Sequence, residues 1–134
     1  MKDILDENGD LAVLDEGESG NIVSTFEFNG VDFDKSGLLT VALTLYDLAT
    51  GTVLNDRLSQ NVKDANGGAI TDEGELTLEL DADDNIVLDT NAYGQWVEEH
   101  VARFDWTWSD GDSLRTGREE FRFGVRKLTE VSNG

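Results

Sequence analysis

The sequence lacks cysteine and proline and contains a single histidine, His100. Without cysteine, the chain can form no disulfide, no thiolate metal site and no cysteine nucleophile. One histidine cannot supply a site that needs two imidazoles, so we predict that His100 is a rim or core residue satisfied by hydrogen bonds. No glycine-rich phosphate loop or nucleophile elbow is present. We therefore expect no enzymatic activity, no catalytic or metal-binding residues and no cofactor.

Long apolar runs and basic residues are also scarce. No apolar stretch approaches the roughly 20 residues that cross a bilayer, and the first residues turn acidic at once, unlike a secretory signal. The 29 acidic residues outnumber the 10 basic ones, which gives a net charge of -19. Such a charge repels DNA and anionic membranes, so we expect neither as a partner. The acidity fits either a saline environment or a soluble surface.

Hydrophobic residues at alternate positions dominate the rest of the sequence. Leu39, Val41, Leu43 and Leu45 alternate with polar or small residues, and residues 75–80 repeat the pattern with leucine. A period of two is typical of a strand with one buried face. Its recurrence between closely spaced turns predicts an all-β fold, an antiparallel two-sheet sandwich of about seven to eight strands. We expect residues 1–10 to be a flexible acidic arm and residues 11–134 to form the single sandwich domain.

Aromatic side chains concentrate on one face of the two closing strands, and they allow two interpretations. A buried core is favoured because the opposite face of the first strand is charged. The core candidates are Phe104, Trp106, Phe121 and Phe123. Alternatively, Trp96, Trp106 and Trp108 could stack on a sugar. Trp96 is the better candidate for exposure because its segment has no clear pattern.

Residues 81–85 resemble the start of a calcium-binding loop. Asp81, Asp83 and Asn85 occupy the first ligand positions. Isoleucine then replaces the required glycine, and alanine replaces the bidentate glutamate. We therefore predict an acidic turn, followed by a short strand at residues 86–88.

The basic residues are unevenly distributed, with six of the ten between positions 103 and 127. Arg122 and Arg126 fall on one face of the last predicted strand, with Arg118 nearby, and these arginines could accept the acidic surface of a neighbouring protein. The alternative is local neutralisation of acidic neighbours. Acidic residues of the N-terminal arm are the complementary candidates. The predicted partner-binding residues are Arg118, Arg122, Arg126, Asp3, Asp6 and Glu7.

From residue 17 to residue 128, the layout resembles the immunoglobulin-like domains of tailed-bacteriophage virion proteins, found in neck, tail, baseplate and capsid-decoration components. The resemblance is carried by the strand-like run 39–47, the run 74–80 and the closing hairpin 99–125. The family has no catalytic residues. This sequence departs from true immunoglobulin domains because it lacks their cysteine pair.

The resemblance implies a non-enzymatic structural protein of a phage particle, placed at the neck, the tail or the capsid surface. Such a protein is assembled in the host cytoplasm and resides in the virion. Its partners are other virion proteins and copies of itself, with no small-molecule substrate. Two alternatives from other classes remain open. One is a carbohydrate- or surface-binding module that uses exposed tryptophan, and the other is a hydrolase with a carboxylate pair.

Overall fold

The computed structural model describes residues 1–25, 27–28, 31–32, 35–88, 97–109 and 111–128. Over these residues it contains strands and two short 3-10 helices, Lys35–Gly37 and Ala82–Asp84, but no α-helix. Within the same residues, no helix is long and apolar enough to span a membrane. The strands are β1 (Lys2–Asp3), β2 (Val13–Asp15), β3 (Gly20–Thr25), β4 (Glu27–Phe28), β5 (Val31–Asp32), β6 (Leu38–Asp47), β7 (Gln60–Asn61), β8 (Gly68–Ile70), β9 (Glu75–Leu80), β10 (Val97–Ser109) and β11 (Leu114–Arg126).

The larger sheet has the order β1-β11-β10-β6-β7, with β2 also paired to β11. β10 is antiparallel to β11 along its whole length and antiparallel to β6 from His100 to Trp108. β1 and β2, in contrast, run parallel to β11. This edge can be parallel because the paired strands lie at opposite ends of the chain and need no tight turn between them. The sheet is therefore mixed rather than purely antiparallel.

The smaller sheet has three antiparallel strands in the order β3-β9-β8. β9 shows the predicted alternation, with Leu76, Leu78 and Leu80 buried and the residues between them more exposed. These leucines belong to the same hydrophobic cluster as Leu43 of β6 and Phe104 of β10 in the larger sheet. Two sheets that share one core confirm the predicted all-β, two-sheet sandwich.

The strands are more numerous and more unequal than expected. Six of the eleven described strands have only two or three residues, which is too short for a hydrophobic period to be visible in the sequence. The predicted strand at residues 86–88 is absent, and that prediction was wrong. The backbone N–H of Leu88 donates instead to the Glu98 carboxylate at 2.9 Å, so it is not available to a ladder.

The inward face of β6 contains one departure from the predicted alternation. The alternation predicts that Leu39 lies in the core with Val41, but Leu39 is 47% exposed, whereas Leu38 is 1% exposed. The pairing with β10 passes from Thr107 opposite Thr40 to Trp108 opposite Leu38, and so skips Leu39. Such a bulge inserts one residue and reverses the facing of those beyond it.

The predicted aromatic core is confirmed. All four candidates are buried in the shared cluster, and the Phe104 and Phe121 rings meet edge to face with centroids 5.9 Å apart. Trp106 of β10 lies directly opposite Gly117 of β11. A Cβ at position 117 would stand 2.5 Å from the indole ring. Glycine is therefore required here, because the ring occupies the space of a side chain.

A buried ion pair joins the two sheets outside this apolar core. Arg57 lies in the loop between β6 and β7, and Asp84 lies in the 3-10 turn after β9. The Arg57 Nε donates to Asp84 Oδ1 at 2.6 Å, and its Nη2 donates to Oδ2 at 2.9 Å. Both residues are buried, Asp84 completely. Two-point contact of this kind fixes orientation as well as charge.

The acidic turn at residues 81–85 surrounds that pair. Asp81 caps the 3-10 helix by accepting from the backbone N–H groups of Asp83 and Asp84. Asp84 Oδ2 in return accepts from the Asp81 N–H at 2.8 Å, and Asn55 Nδ2 donates to Asp84 Oδ1 at 2.8 Å. The prediction of an acidic turn is thus confirmed. Its buried carboxylate is Asp84, which the calcium-loop comparison did not single out.

Trp106→Ala should lower the free energy of unfolding by about 3–5 kcal/mol, because it removes a large buried aromatic ring. Gly117→Ala should cost about 1–3 kcal/mol through overpacking. The two changes should not add, because the clash at Gly117 exists only while the indole is present. Denaturant unfolding of both single variants and the double variant measures this coupling. Thr116→Ala, an exposed change on the same strand, is the control. Simple additivity would contradict the proposed contact.

Asp84→Ala should lower the free energy of unfolding by about 3–5 kcal/mol, because it leaves the Arg57 guanidinium buried without its counter-charge. Asp83→Ala provides the matched control, because Asp83 is an exposed carboxylate on the same turn. We expect this surface change to alter stability by no more than about 0.5 kcal/mol. Urea unfolding midpoints of the two variants and the wild type measure the two stability losses. Equal losses would show that Asp84 acts only through the turn.

Candidate functional site

The three arginines proposed for partner binding lie along the outer face of β11 and are paired within the chain. Arg118 Nε donates to Asp105 Oδ1 at 2.5 Å, and Arg126 Nε donates to Asp15 Oδ1 at 2.8 Å. We call Arg118, Arg122 and Arg126 the arginine stripe. The hydrogen bond that Arg118 donates to Asp105 raises the pKa of Arg118 above its ordinary value. These contacts agree with the alternative of local neutralisation.

Arg122 has the most extensive contacts of the stripe. Its Nε and Nη2 donate to the two carboxylate oxygens of Asp3, both at 2.8 Å, and its Nη1 lies 3.5 Å from the Glu99 carboxylate. The Arg122 hydrogen bonds hold the pKa of Asp3 below its ordinary value. The structure thus brings together two predicted partner-binding residues from opposite ends of the chain. Their carboxylate and guanidinium remain accessible to water, so the pair contributes little to stability.

The N-terminal strap, residues 2–15, lies along the outer edge of β11. The Ile4 N–H donates to the Arg122 carbonyl at 2.8 Å, so the predicted acidic arm is paired to the sheet here. Asp6 Oδ1 accepts from the N–H groups of Asn8 and Asp10, at 2.8 and 3.1 Å, and closes a turn between β1 and β2. Glu7 is exposed in that turn. The predicted flexibility of the acidic arm, residues 1–10, stays a prediction.

A second group of charged side chains lies inside the molecule, where the sequence analysis placed no site. Asp47 ends β6, and Glu98 and His100 lie near the start of β10 on its inward face. Asp47 and His100 are direct partners across the two strands. We call Asp47, Glu98 and His100 the buried acid–histidine cluster. Each offers one ligand-type atom within 4.8 Å of the other two.

Burial distinguishes this cluster from the surface pairs. Asp47 is 3% exposed, and His100 is completely buried. His100 Nε2 and Glu98 Oε1 are 2.7 Å apart, which supports the prediction of a hydrogen-bonded core histidine. However, His100 Nδ1 and Asp47 Oδ1 have no hydrogen-bond partner in the part of the chain that the structure describes. The prediction is therefore correct for one ring nitrogen only.

The sequence did contain a sign of this cluster. Asp47 continues the alternate, inward-facing positions of Leu43 and Leu45 in β6. In the same way, His100 shares the inward-facing positions of Ala102 and Phe104 in β10. A charged or titratable residue at a core-facing position is unusual and points to a paired or functional group. The sequence did not reveal the proximity, because Asp47 and His100 are brought together only by the strand register.

A cavity of about 700 Å³ lies beside the cluster. Asp47 and Glu98 contribute to its wall, and the rest of the lining is mainly apolar, including Leu48, Leu88 and Val97. An apolar cavity with a few convergent polar groups is the usual form of a small-ligand site. Asp47 and Glu98 are therefore the members of the cluster that border this cavity.

The structure describes two of the three tryptophans that the sequence analysis considered for a sugar platform. Trp106 is 8% exposed within the core, and Trp108 is partly buried against that core. Trp96, the better candidate for exposure, lies outside the described residues. The carbohydrate-binding alternative therefore stays a prediction.

Comparison with models of known protein families finds no match to this chain. A comparison with curated proteins also finds no match.

Tyr46 offers a measurable test of the outer face of the larger sheet. Its hydroxyl donates to Glu120, and burial, followed by this hydrogen bond, raises its pKa to about 12. An unfolded tyrosine ionises near about 10. The fold therefore favours the neutral phenol, and this contribution to stability is complete below pH of about 10 and is lost as the pH rises towards 12.

Tyr46→Phe should remove the high-pH step from the tyrosinate absorbance titration. The chain has two tyrosines, so subtracting the titration of the variant from that of the wild type isolates Tyr46. We expect the difference to titrate near pH 12 while the protein remains folded. Circular dichroism at each pH checks the fold. A difference centred near pH of about 10 would mean that Tyr46 is solvated like a free tyrosine.

Proposed function

We propose that this chain is a non-enzymatic structural protein of a bacteriophage particle and that it contributes to virion assembly through protein–protein contacts. The all-β, two-sheet architecture suits the immunoglobulin-like domains that residues 17–128 resemble. Fold analogy alone is a weak basis for function. The proposal therefore rests mainly on the outer edge of the larger sheet, where the N-terminal strap pairs with β11.

The observation that carries the proposal is the N-terminal strap on the edge of β11. β1 and β2 supply only two and three residues to this edge. The Asp3–Arg122 and Asp15–Arg126 pairs that accompany them are all partly exposed. Exposed ion pairs contribute about 0–1 kcal/mol each. The strap is therefore an edge of the sheet that can be displaced at modest cost.

Displacement of the strap would leave the backbone groups of β11 open to another strand. Sheet edges of this kind are extended by partner strands in many assemblies. A neighbouring copy could supply its own strap, because the two sequences and the required ion pairs are the same. Exchange of an identical element between copies is a low-cost route to association. The arrangement of copies in the particle would determine the direction of this exchange and whether the exchanging copies form a closed ring.

The arginine stripe would then act in both states. In the isolated chain, Arg122 pairs with Asp3 of its own strap. In an assembly, the same guanidinium would bind the equivalent carboxylate of a neighbour, or another acidic surface of a virion protein. The arginine stripe is thus a row of positive side chains on a molecule whose net charge is -19. Charge complementarity would steer the encounter and fix its orientation.

Deleting residues 1–10 should leave the sandwich folded but reduce its incorporation into particles severalfold. The fold should survive because the fully buried core belongs to later strands and the strap adds only partly buried residues such as Ile4. Reversing Arg122 and Arg126 to glutamate should have a similar effect, stronger at low salt. Mass spectrometry of purified particles measures the incorporated fraction.

Glu73→Gln is the control for this experiment, because it removes an acidic charge from the exposed turn between β8 and β9, outside the strap and the stripe. We expect normal incorporation of this variant. Normal incorporation of the deletion and of the arginine variants would remove the proposed contacts. Absence of the wild-type chain from every particle preparation would remove the virion proposal itself.

A further inference from the structure

The buried acid–histidine cluster contains the donor atoms of a metal site. Carboxylate oxygen and imidazole nitrogen together suit zinc and the neighbouring divalent transition metals, whereas calcium and magnesium prefer oxygen alone. Asp47, Glu98 and His100 place one such atom each within 4.8 Å of the others. Zinc bonds to these ligands measure about 2.0–2.2 Å. Binding of an ion would therefore require small movements of the three side chains, including the opening of the 2.7 Å contact between His100 Nε2 and Glu98 Oε1.

Two atoms of the cluster lack the partners that burial normally requires. Asp47 Oδ1 and His100 Nδ1 are buried without a hydrogen bond to any described residue. A buried polar atom without a partner costs about 1–3 kcal/mol, so such atoms are rare and each calls for an explanation. Both atoms are lone-pair donors when the carboxylate is ionised and that nitrogen is unprotonated. A metal ion held by Asp47, Glu98 and His100 would give Asp47 Oδ1 the partner that it lacks.

Charge gives a third, independent reason. The cluster combines two carboxylates with one imidazole, and all three side chains are buried. Ionised carboxylates are costly to bury unless they are compensated. A divalent cation neutralises both carboxylates at once while the imidazole stays neutral, the form that binds metals. The composition of the cluster therefore matches a doubly charged ion.

The surroundings also hold the ligands in place. Asp47 Oδ2 accepts from the Thr50 N–H at 3.0 Å and from the Thr50 hydroxyl at 2.6 Å. Glu98 Oε1 accepts from the Leu88 N–H at 2.9 Å. Hydrogen bonds of this kind orient metal ligands and raise affinity. They also show that the site is built from strand ends and a tight turn, not from mobile surface carboxylates.

We propose that Asp47, Glu98 and His100 bind a divalent transition-metal ion, with zinc as the first choice. Three protein ligands leave a fourth position of a tetrahedral zinc ion for water or a small ligand. Asp47 and Glu98 also line the 700 Å³ cavity, so that position would face the cavity. The site is independent of the strap and of the arginine stripe.

The test uses the complete chain without a histidine tag. Because His100 is the only histidine, every imidazole signal in a nitrogen–proton NMR spectrum reports on this site. One equivalent of Zn²⁺ should shift the His100 ring signals, and Mg²⁺ at the same concentration should not. Calorimetric titration with Zn²⁺ should give one tight site above the weak binding of surface carboxylates.

Asp47→Asn keeps the side-chain shape and should lower zinc affinity at least tenfold. Asp83→Asn makes the same change in charge on an exposed turn and should alter affinity less than about twofold. Unchanged His100 signals in wild-type protein with stoichiometric Zn²⁺ would overturn the proposal, even if the Asp47 variant failed to fold. Equal losses in the two folded variants would also overturn it, because zinc would then be held by surface carboxylates.

Discussion

The ion pair between Arg57 and Asp84 is the contact on which the assembly of the two sheets depends. Arg57 lies in the loop that connects β6 to β7 in the larger sheet, and Asp84 lies in the turn that follows β9 of the smaller sheet. The same guanidinium donates through Nη1 to the Asn66 carbonyl at 3.0 Å, just before β8. One side chain therefore holds together the segments before β7 and β8 and the turn after β9. Because the pair is buried and its hydrogen bonds are directional, it specifies one arrangement of these loops.

The molecule buries charge in two places, and the difference between them is informative. At Asp84, both carboxylate oxygens accept hydrogen bonds from Arg57 and from neighbouring groups. At Asp47, one oxygen is bound by Thr50 and the other has no described partner. The first network is complete within the chain and needs nothing further. In the second, Asp47 Oδ1 has neither a donor nor a cation beside it among the residues that the structure describes, which is why the metal proposal belongs there and not at the acidic turn.

Local periodicity predicted the strands whose side chains alternate over six or more residues. β9 and the inward aromatic face of β10 follow directly from the spacing of leucine, phenylalanine and tryptophan. The bulge at Leu39 could not be predicted, since it arises from the pairing of β6 with β10. The partnership of Arg57 with Asp84, and that of Asp47 with His100, depend on topology for the same reason. The sequence could have flagged Asp47 by its parity, but not its partner.

The arginine stripe helps to fix the register of the N-terminal strap against β11. A parallel strand of two residues, such as β1, has too few backbone bonds to choose its alignment against β11, and a slip of one residue would reverse its faces. The Arg122–Asp3 pair selects one alignment, and Arg126–Asp15 repeats the selection farther along the same edge. Such pairs can be weak and still specific, because misalignment opposes like charges in an acidic chain. The same selection would operate between copies, so the feature that positions the strap within one chain would also direct its exchange in an assembly.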